Sequence, residues 1–199
     1  MTSNARLYLV FAAALAGPAV ACADGETEPE PLVCDPVAPG ESRMLVDHDR
    51  WTLAPAEEDP WAAFRPAEDI GCPDGARKPE DFAGVYAWSV ITTDCPYTTV
   101  VQPTLAPACK GEEFYVWIWN YALVSPVDAT AHLAVQVGDL PIWSGTRAIP
   151  GPSALEATRI TLPHDVPAGT PIYFHVRNHG SNSYELIALS IVAPEPEGP

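Results

Sequence analysis

Two histidines, an arginine and two asparagines fall within the stretch FHVRNHGSNSYELIALSI, Phe174 to Ile191. Imidazoles can ligate a metal, whereas planar amides, a guanidinium and a tyrosine ring suit sugar hydroxyls and sugar faces. On an extended strand His175 and His179 stand about 13 Å apart, while ligands of one ion converge to about 2 Å from it. A metal would need His132 or a loop carboxylate such as Asp128 brought in by the fold, so no metal is expected and carbohydrate is the better-fitting partner. With Gly180 and Ser181 at the tip of a tight hairpin, Phe174 opposes Ile187 and Ile172 opposes Leu189 on a core face. The other face then carries Tyr173, His175, Arg177 and His179 beside Tyr184 and Leu186.

A second stretch, EFYVWIWNYALV, places Tyr115, Trp117, Trp119 and Tyr121 on one side of a strand. Four aromatics in a row invite a sugar-stacking platform. If the loop VSPVD closes a hairpin pairing Asn120 with His132, however, the row faces Ala131, Leu133, Val135 and Val137, and the expectation is core. Val116, Ile118 and Asn120 would then share the other, partly open face with Thr130, His132, Ala134 and Gln136. The candidate ligand-binding set is therefore Asn120, His132, His175, Arg177, Asn178, His179, Asn182 and Tyr184.

These residues need a sheet to hold them. Eight short runs rich in β-branched and aromatic residues recur beyond Gly84, punctuated by Pro, Gly, Asp and Asn: GVYAWSVIT, YTTVVQP, EFYVWIWNYALV, ATAHLAVQV, LPIWSGTRAI, LEATRITL, TPIYFHVRNH and SYELIALSIV. Without a long helical period, they predict an all-β protein, a two-sheet β-sandwich of jelly-roll type spanning 83–193. Residues 34–82 carry many prolines and acidic groups around Leu45, Trp51, Trp61 and Phe64. They read as an irregular segment packing on the core, with one strand and a helical turn near Trp61. The tail 194–199 reads as disordered.

The first 21 residues have the layout of a signal peptide: Arg6, an apolar run from Leu7 to Leu15, then small residues. Cys22 after Ala-Val-Ala resembles the lipobox of bacterial lipoproteins, in which that cysteine is lipidated. Ala19 stands where the family prefers Leu, and ordinary cleavage near Ala21 is the alternative. Residues 22–33 then form a flexible acidic linker. Setting Cys22 aside leaves Cys34, Cys72, Cys95 and Cys109, an even set without Cys-x-x-Cys spacing, which points to two disulfides in an oxidising compartment. Of three possible pairings, Cys72 with Cys95 and Cys34 with Cys109 is favoured, because it staples the irregular half to the sheet.

The formal net charge of −16 argues against nucleic acid, which needs a basic footprint. Enzyme motifs such as His-Glu-x-x-His and Gly-x-Ser-x-Gly do not occur. Paired carboxylates in VDHDRW and APAEEDPW are the only hint of calcium or of a glycosidase, and solvated acidic groups account for them more simply.

The ending PAGTPIYFHVRNHGSNSYELIALSIV resembles the final hairpin of galactose-binding-like and carbohydrate-binding jelly rolls. The pattern of DPWAAFRP, GCP, DCPY and RNHGSNSY is similar to that of bacterial envelope lipoproteins. Together these imply an exported, non-catalytic lipoprotein at the outer membrane or cell surface, displaying a carbohydrate-binding β-sandwich and having no cofactor. The alternatives are a periplasmic or secreted soluble form, a subunit of an envelope protein complex using the same face on a protein partner, and, third, a hydrolase.

Overall fold

The computed structural model describes residues 32–67, 72–178 and 180–193. Eleven strands follow one another: β1 Ser42–Met44, β2 Thr52–Leu53, β3 Arg77–Phe82, β4 Val85–Ile91, β5 Tyr97–Pro103, β6 Glu113–Asn120, β7 Ala129–Val137, β8 Leu140–Ile149, β9 Ala154–Thr161, β10 Pro171–Arg177 and β11 Ser183–Val192. They form two antiparallel sheets in a jelly-roll sandwich. One sheet has the order β3-β4-β11-β6-β9 with β1 also on β11, and the other has the order β2-β5-β10-β7-β8. The eight runs expected as strands are β4 to β11. The segment expected to hold one strand supplies three, β1, β2 and β3, and its helical turn lies at Ala62–Phe64. No helix among the described residues is long and apolar enough to cross a membrane.

The two hairpins expected from the sequence do not form. β6 pairs with β11 and β9, while β7 pairs with β10 and β8, so the segment between β6 and β7 crosses from one sheet to the other. β10 and β11 likewise belong to different sheets. Gly180, at φ 101°, turns the chain across the end of the sandwich, where a Cβ would lie 2.5 Å from the Val124 carbonyl oxygen. Ile172 and Phe174 do face the core, as expected, but they meet the opposite sheet rather than cross-strand neighbours on β11. Tyr184 and Leu186, expected on the polar face, are fully buried core residues.

Both disulfides join the favoured partners, Cys34 to Cys109 and Cys72 to Cys95. They tie the first third of the chain to the sheets and point to an exported or extracellular protein.

On the side of β11 away from β6, β4 pairs with Ser183 to Leu186 and β1 takes over from Ser190 to Val192. A register shift between Leu186 and Ala188 separates the two pairings. His48 closes that gap. Its Nδ1 accepts the Trp51 indole N–H at 3.2 Å, which leaves the proton on Nε2, and Nε2 donates to the Ile187 carbonyl at 3.1 Å. Burial lowers the His48 pKa, against smaller opposing effects of the Ile187 hydrogen bond and of Asp47 and Asp49. Replacing His48 with Ala leaves a buried N–H and a buried C=O unpaired and should cost about 2–3 kcal/mol in urea denaturation. A depressed histidine pKa means that the unfolded chain binds the extra proton. The contribution of His48 should therefore be lost as pH falls below about 6.5, so the stability gap between the wild type and His48→Ala should narrow there.

Candidate functional site

Along β6, Phe114, Val116, Ile118 and Asn120 are buried, and Tyr115, Trp117 and Trp119 are partly exposed. The aromatic row is therefore on the outer face of its sheet, and the expectation that it is core is overturned. Its cross-strand neighbours are β11 and β9 instead of β7. Tyr115 lies between Ser190 and Arg159, Trp117 between Ala188 and Ala157, and Trp119 between Glu185 and Leu155. Trp117 has a small side chain, alanine, on each flank, and Tyr115 has Ser190 on one.

Tyr121, just past the strand, extends the row and is 53% exposed. Phe82 reaches in from the edge strand β3 to ring-centroid distances of 6.0 Å from Trp119 and 5.8 Å from Tyr121. At the other end Tyr115 and Trp117 are 6.2 Å apart, with the Arg159 guanidinium 5.9 Å from the Tyr115 ring. Residues two apart on a strand are separated by about 6.7 Å, so the row from Tyr115 to Tyr121 runs about 20 Å. Charges on this face are paired, Lys78 with Glu80 at 3.5 Å and Arg159 with Glu113 at 2.9 Å.

Beside Tyr121 a cavity of about 330 Å³ opens, lined among others by Glu80, Ser89, Ser183 and Glu185. Glu185 pairs in register with Trp119 on one side and Ser89 on the other, which puts it on the outer face, yet it is 1% exposed. The Ser89 hydroxyl donates to Oε1 at 3.2 Å, and Oε2 has no protein partner. Burial pushes its pKa up to about 7, Ser89 opposes the shift, and Glu80 adds to it. The indole N–H groups of Trp117 and Trp119 are also without a protein acceptor. Three unsatisfied polar atoms thus share this face.

The residues singled out from the sequence are divided between two other places. Asn178, Asn182 and Tyr184 are buried and fasten the crossover from β10 to β11. The Tyr184 hydroxyl donates to Asn178 Oδ1 at 3.1 Å, Asn178 Nδ2 donates to the Thr92 hydroxyl at 2.6 Å, and Asn182 Oδ1 accepts the Val124 N–H at 2.6 Å. Asn120 is buried as well, its amide donating to the Tyr121 carbonyl at 2.8 Å. In this structure those four side chains hold the fold. His179 and Cys22 lie outside the described residues.

His175, His132 and Arg177 are on the outer face of the other sheet, as their alternation implies. The segment from Asp59 to Arg65 covers much of that face. Trp61 stacks on His175 with centroids 4.8 Å apart, and His175 is fully buried. Asp59 accepts from the Tyr97 hydroxyl at 2.7 Å, the Thr99 hydroxyl at 2.9 Å, the Trp61 N–H at 2.9 Å and Arg65 at 3.1 Å. Burial raises its pKa, but the hydrogen bonds outweigh burial and hold it below the usual value. Because Thr99 spends its proton on Asp59, His175 Nδ1 must donate to the Thr99 oxygen, at 2.9 Å. Burial, reinforced by His132, pushes His175 down to about 3. His132 and Arg177 remain partly exposed at the rim of this cover. Among the described residues the one cluster of three metal-type donors, Cys34, Cys109 and Glu112, contains a disulfide.

No protein-family profile matches the chain, and no curated protein matches it. Solved structures with a similar arrangement of strands include carbohydrate-binding modules. TmCBM61 in complex with β-1,4-galactotriose has a TM-score of 0.43 and 10% identity, covering 77% of this chain and 100% of its own. CBM4 gives 0.39 and 11%, covering 59% and 89%, and a family 16 carbohydrate-binding module gives 0.39 and 8%, covering 63% and 89%.

A raised carboxyl pKa makes the folded state the better proton binder, so Glu185 costs stability as pH rises from about 4.5 through about 7. Glu185→Gln should match the wild type near pH 4 and exceed it at pH 8 by roughly 2–3 kcal/mol, measured by chemical denaturation at both pH values. An equal difference at both would show that folding leaves the Glu185 pKa unshifted.

Proposed function

We propose that this chain is a non-catalytic carbohydrate-binding module that lays a glycan along Tyr115, Trp117, Trp119 and Tyr121. The observation that carries this is the outward aromatic row, flanked by Ala157, Ala188 and Ser190. Sugar rings present C–H faces that pack on aromatic rings and hydroxyl rims that take hydrogen bonds, and both partners are at hand here. A glycan on the row would bring hydroxyls to Ser183 in the adjoining cavity, and small rotations of Trp117 and Trp119 would offer their N–H groups. With Lys78, Glu80, Arg159 and Glu113 paired on this face and Glu185 kept partly protonated by burial, an uncharged glycan is the fitting ligand. Binding is favoured over hydrolysis because Glu185 is sealed beneath its neighbours, one oxygen held by Ser89, instead of standing open to a glycosidic bond.

Display at the cell envelope through a lipid on Cys22 completes the proposal. Its support is the sequence pattern around that cysteine, and a labelled fatty acid retained by wild type and lost in Cys22→Ser would test it.

For the platform, titration calorimetry against neutral oligosaccharides including β-1,4-galactotriose and xylohexaose should find a binding partner. In Trp117→Ala/Trp119→Ala the affinity should fall by about a hundredfold, on roughly 1–2 kcal/mol per ring, with the melting temperature nearly unchanged. Undiminished binding in that variant would reject the platform.

A further inference from the structure

The opposite face of the sandwich carries a pocket of different chemistry. Arg177 on β10, His132 on β7 and Thr146 on β8 stand in direct register on three adjacent strands. Adjacent strands are about 4.8 Å apart, so the three side chains form a continuous row. Thr130 lies two residues before His132 and therefore on the same side. Phe64 closes the row from the covering segment, its ring 6.2 Å from the His132 ring and 5.5 Å from the Arg177 guanidinium carbon. These five side chains line a cavity of about 370 Å³.

Among the described residues no carboxylate lines this cavity, in a chain with 26 acidic and only 10 basic residues. Arg43, Arg65, Arg77, Lys78, Arg147 and Arg159 make ion pairs, whereas Arg177, like Arg50 and Lys110, makes none among the described residues. Its contact with the Phe64 ring is cation–π and leaves its N–H donors unspent. His132 Nδ1 has no protein partner either. A guanidinium with free donors pairs best with a planar, bidentate anion. Phe64, half exposed, adds a ring face, and the two threonines add hydroxyls.

We propose that this pocket is a second binding site, for a hydroxylated carboxylate of the size of one uronic acid residue. Arg177 takes the carboxylate, Phe64 packs on the sugar ring, and Thr130, Thr146 and His132 meet its hydroxyls. The site is independent of the aromatic platform, which lies on the other sheet and selects uncharged sugar.

The test is NMR titration of the disulfide-intact domain at about 0.15 M salt, where the net acidic charge is screened beyond about 8 Å. The probes are glucuronate, glucose and propionate, read on the His132 ring and the Arg177 side chain. Glucuronate should shift both signals saturably, with propionate weaker and glucose without effect. Arg177→Gln should weaken glucuronate binding at least about tenfold, Arg177→Lys less so, and Trp117→Ala/Trp119→Ala should leave it intact. No saturable shift with glucuronate, an equal response to glucose or propionate, or unchanged affinity in a folded Arg177→Gln would each overturn the proposal. Loss of platform binding alone would leave it standing.

Discussion

Alternation along β6 allows one side of the strand to enter the core and obliges the other to leave it. Both sides of this strand are large and apolar, so the choice between them decides what the protein presents to its surroundings. Placing β6 between β11 and β9 sends Phe114, Val116 and Ile118 inward against the second sheet and turns Tyr115, Trp117 and Trp119 out. Burying the other row would take the polar tips of a tyrosine and two tryptophans into an apolar core and expose three side chains that have no polar atom. Tyrosine and tryptophan, apolar with a polar tip, tolerate a half-wet face far better.

The rest of that face follows from the choice. Glu185 is Trp119's neighbour because β11 lies beside β6, and it is buried because neighbouring side chains close over it. β11 can lie there only if its irregularity at Ile187 is held, which the Trp51–His48–Ile187 relay does. The N-terminal segment performs two tasks, one on each sheet. On the first it supplies β1 and His48 to β11, and over the second it lays Asp59, Trp61 and Phe64. The disulfides from Cys34 and Cys72 hold that segment to both tasks.

Much of this could be read in the sequence. The eight strands from Val85 onward, the inward rows of β7 and β10, and the joining of the first half to the sheet through the cysteines follow from short-range pattern and simple counting. The partner of β6 does not, because consecutive strands in a jelly roll often belong to different sheets, and periodicity says nothing about which strand lies alongside. One local signal was available: the inward row of β6 includes Phe, Val and Ile, and the outward row consists of Glu, Tyr and Trp. Glu185 was hidden for another reason. It sits in the run SYELIALSIV, whose continuous apolar residues conceal the register shift after Leu186. Asn178, Asn182 and Tyr184 look from the sequence like a polar rim, and only the crossover they fasten accounts for their burial.

Indole N–H resonances give the most direct view of the platform, because the tryptophans are distributed among the outer row, the core and the covering segment. In a titration with a neutral oligosaccharide series, Trp117 and Trp119 should move together and saturate, while the core residues Trp51 and Trp88 and the His175-stacked Trp61 stay fixed. Stationary Trp117 and Trp119 signals while a glycan binds, or while the whole series fails to bind, would contradict the placement of the function on this face.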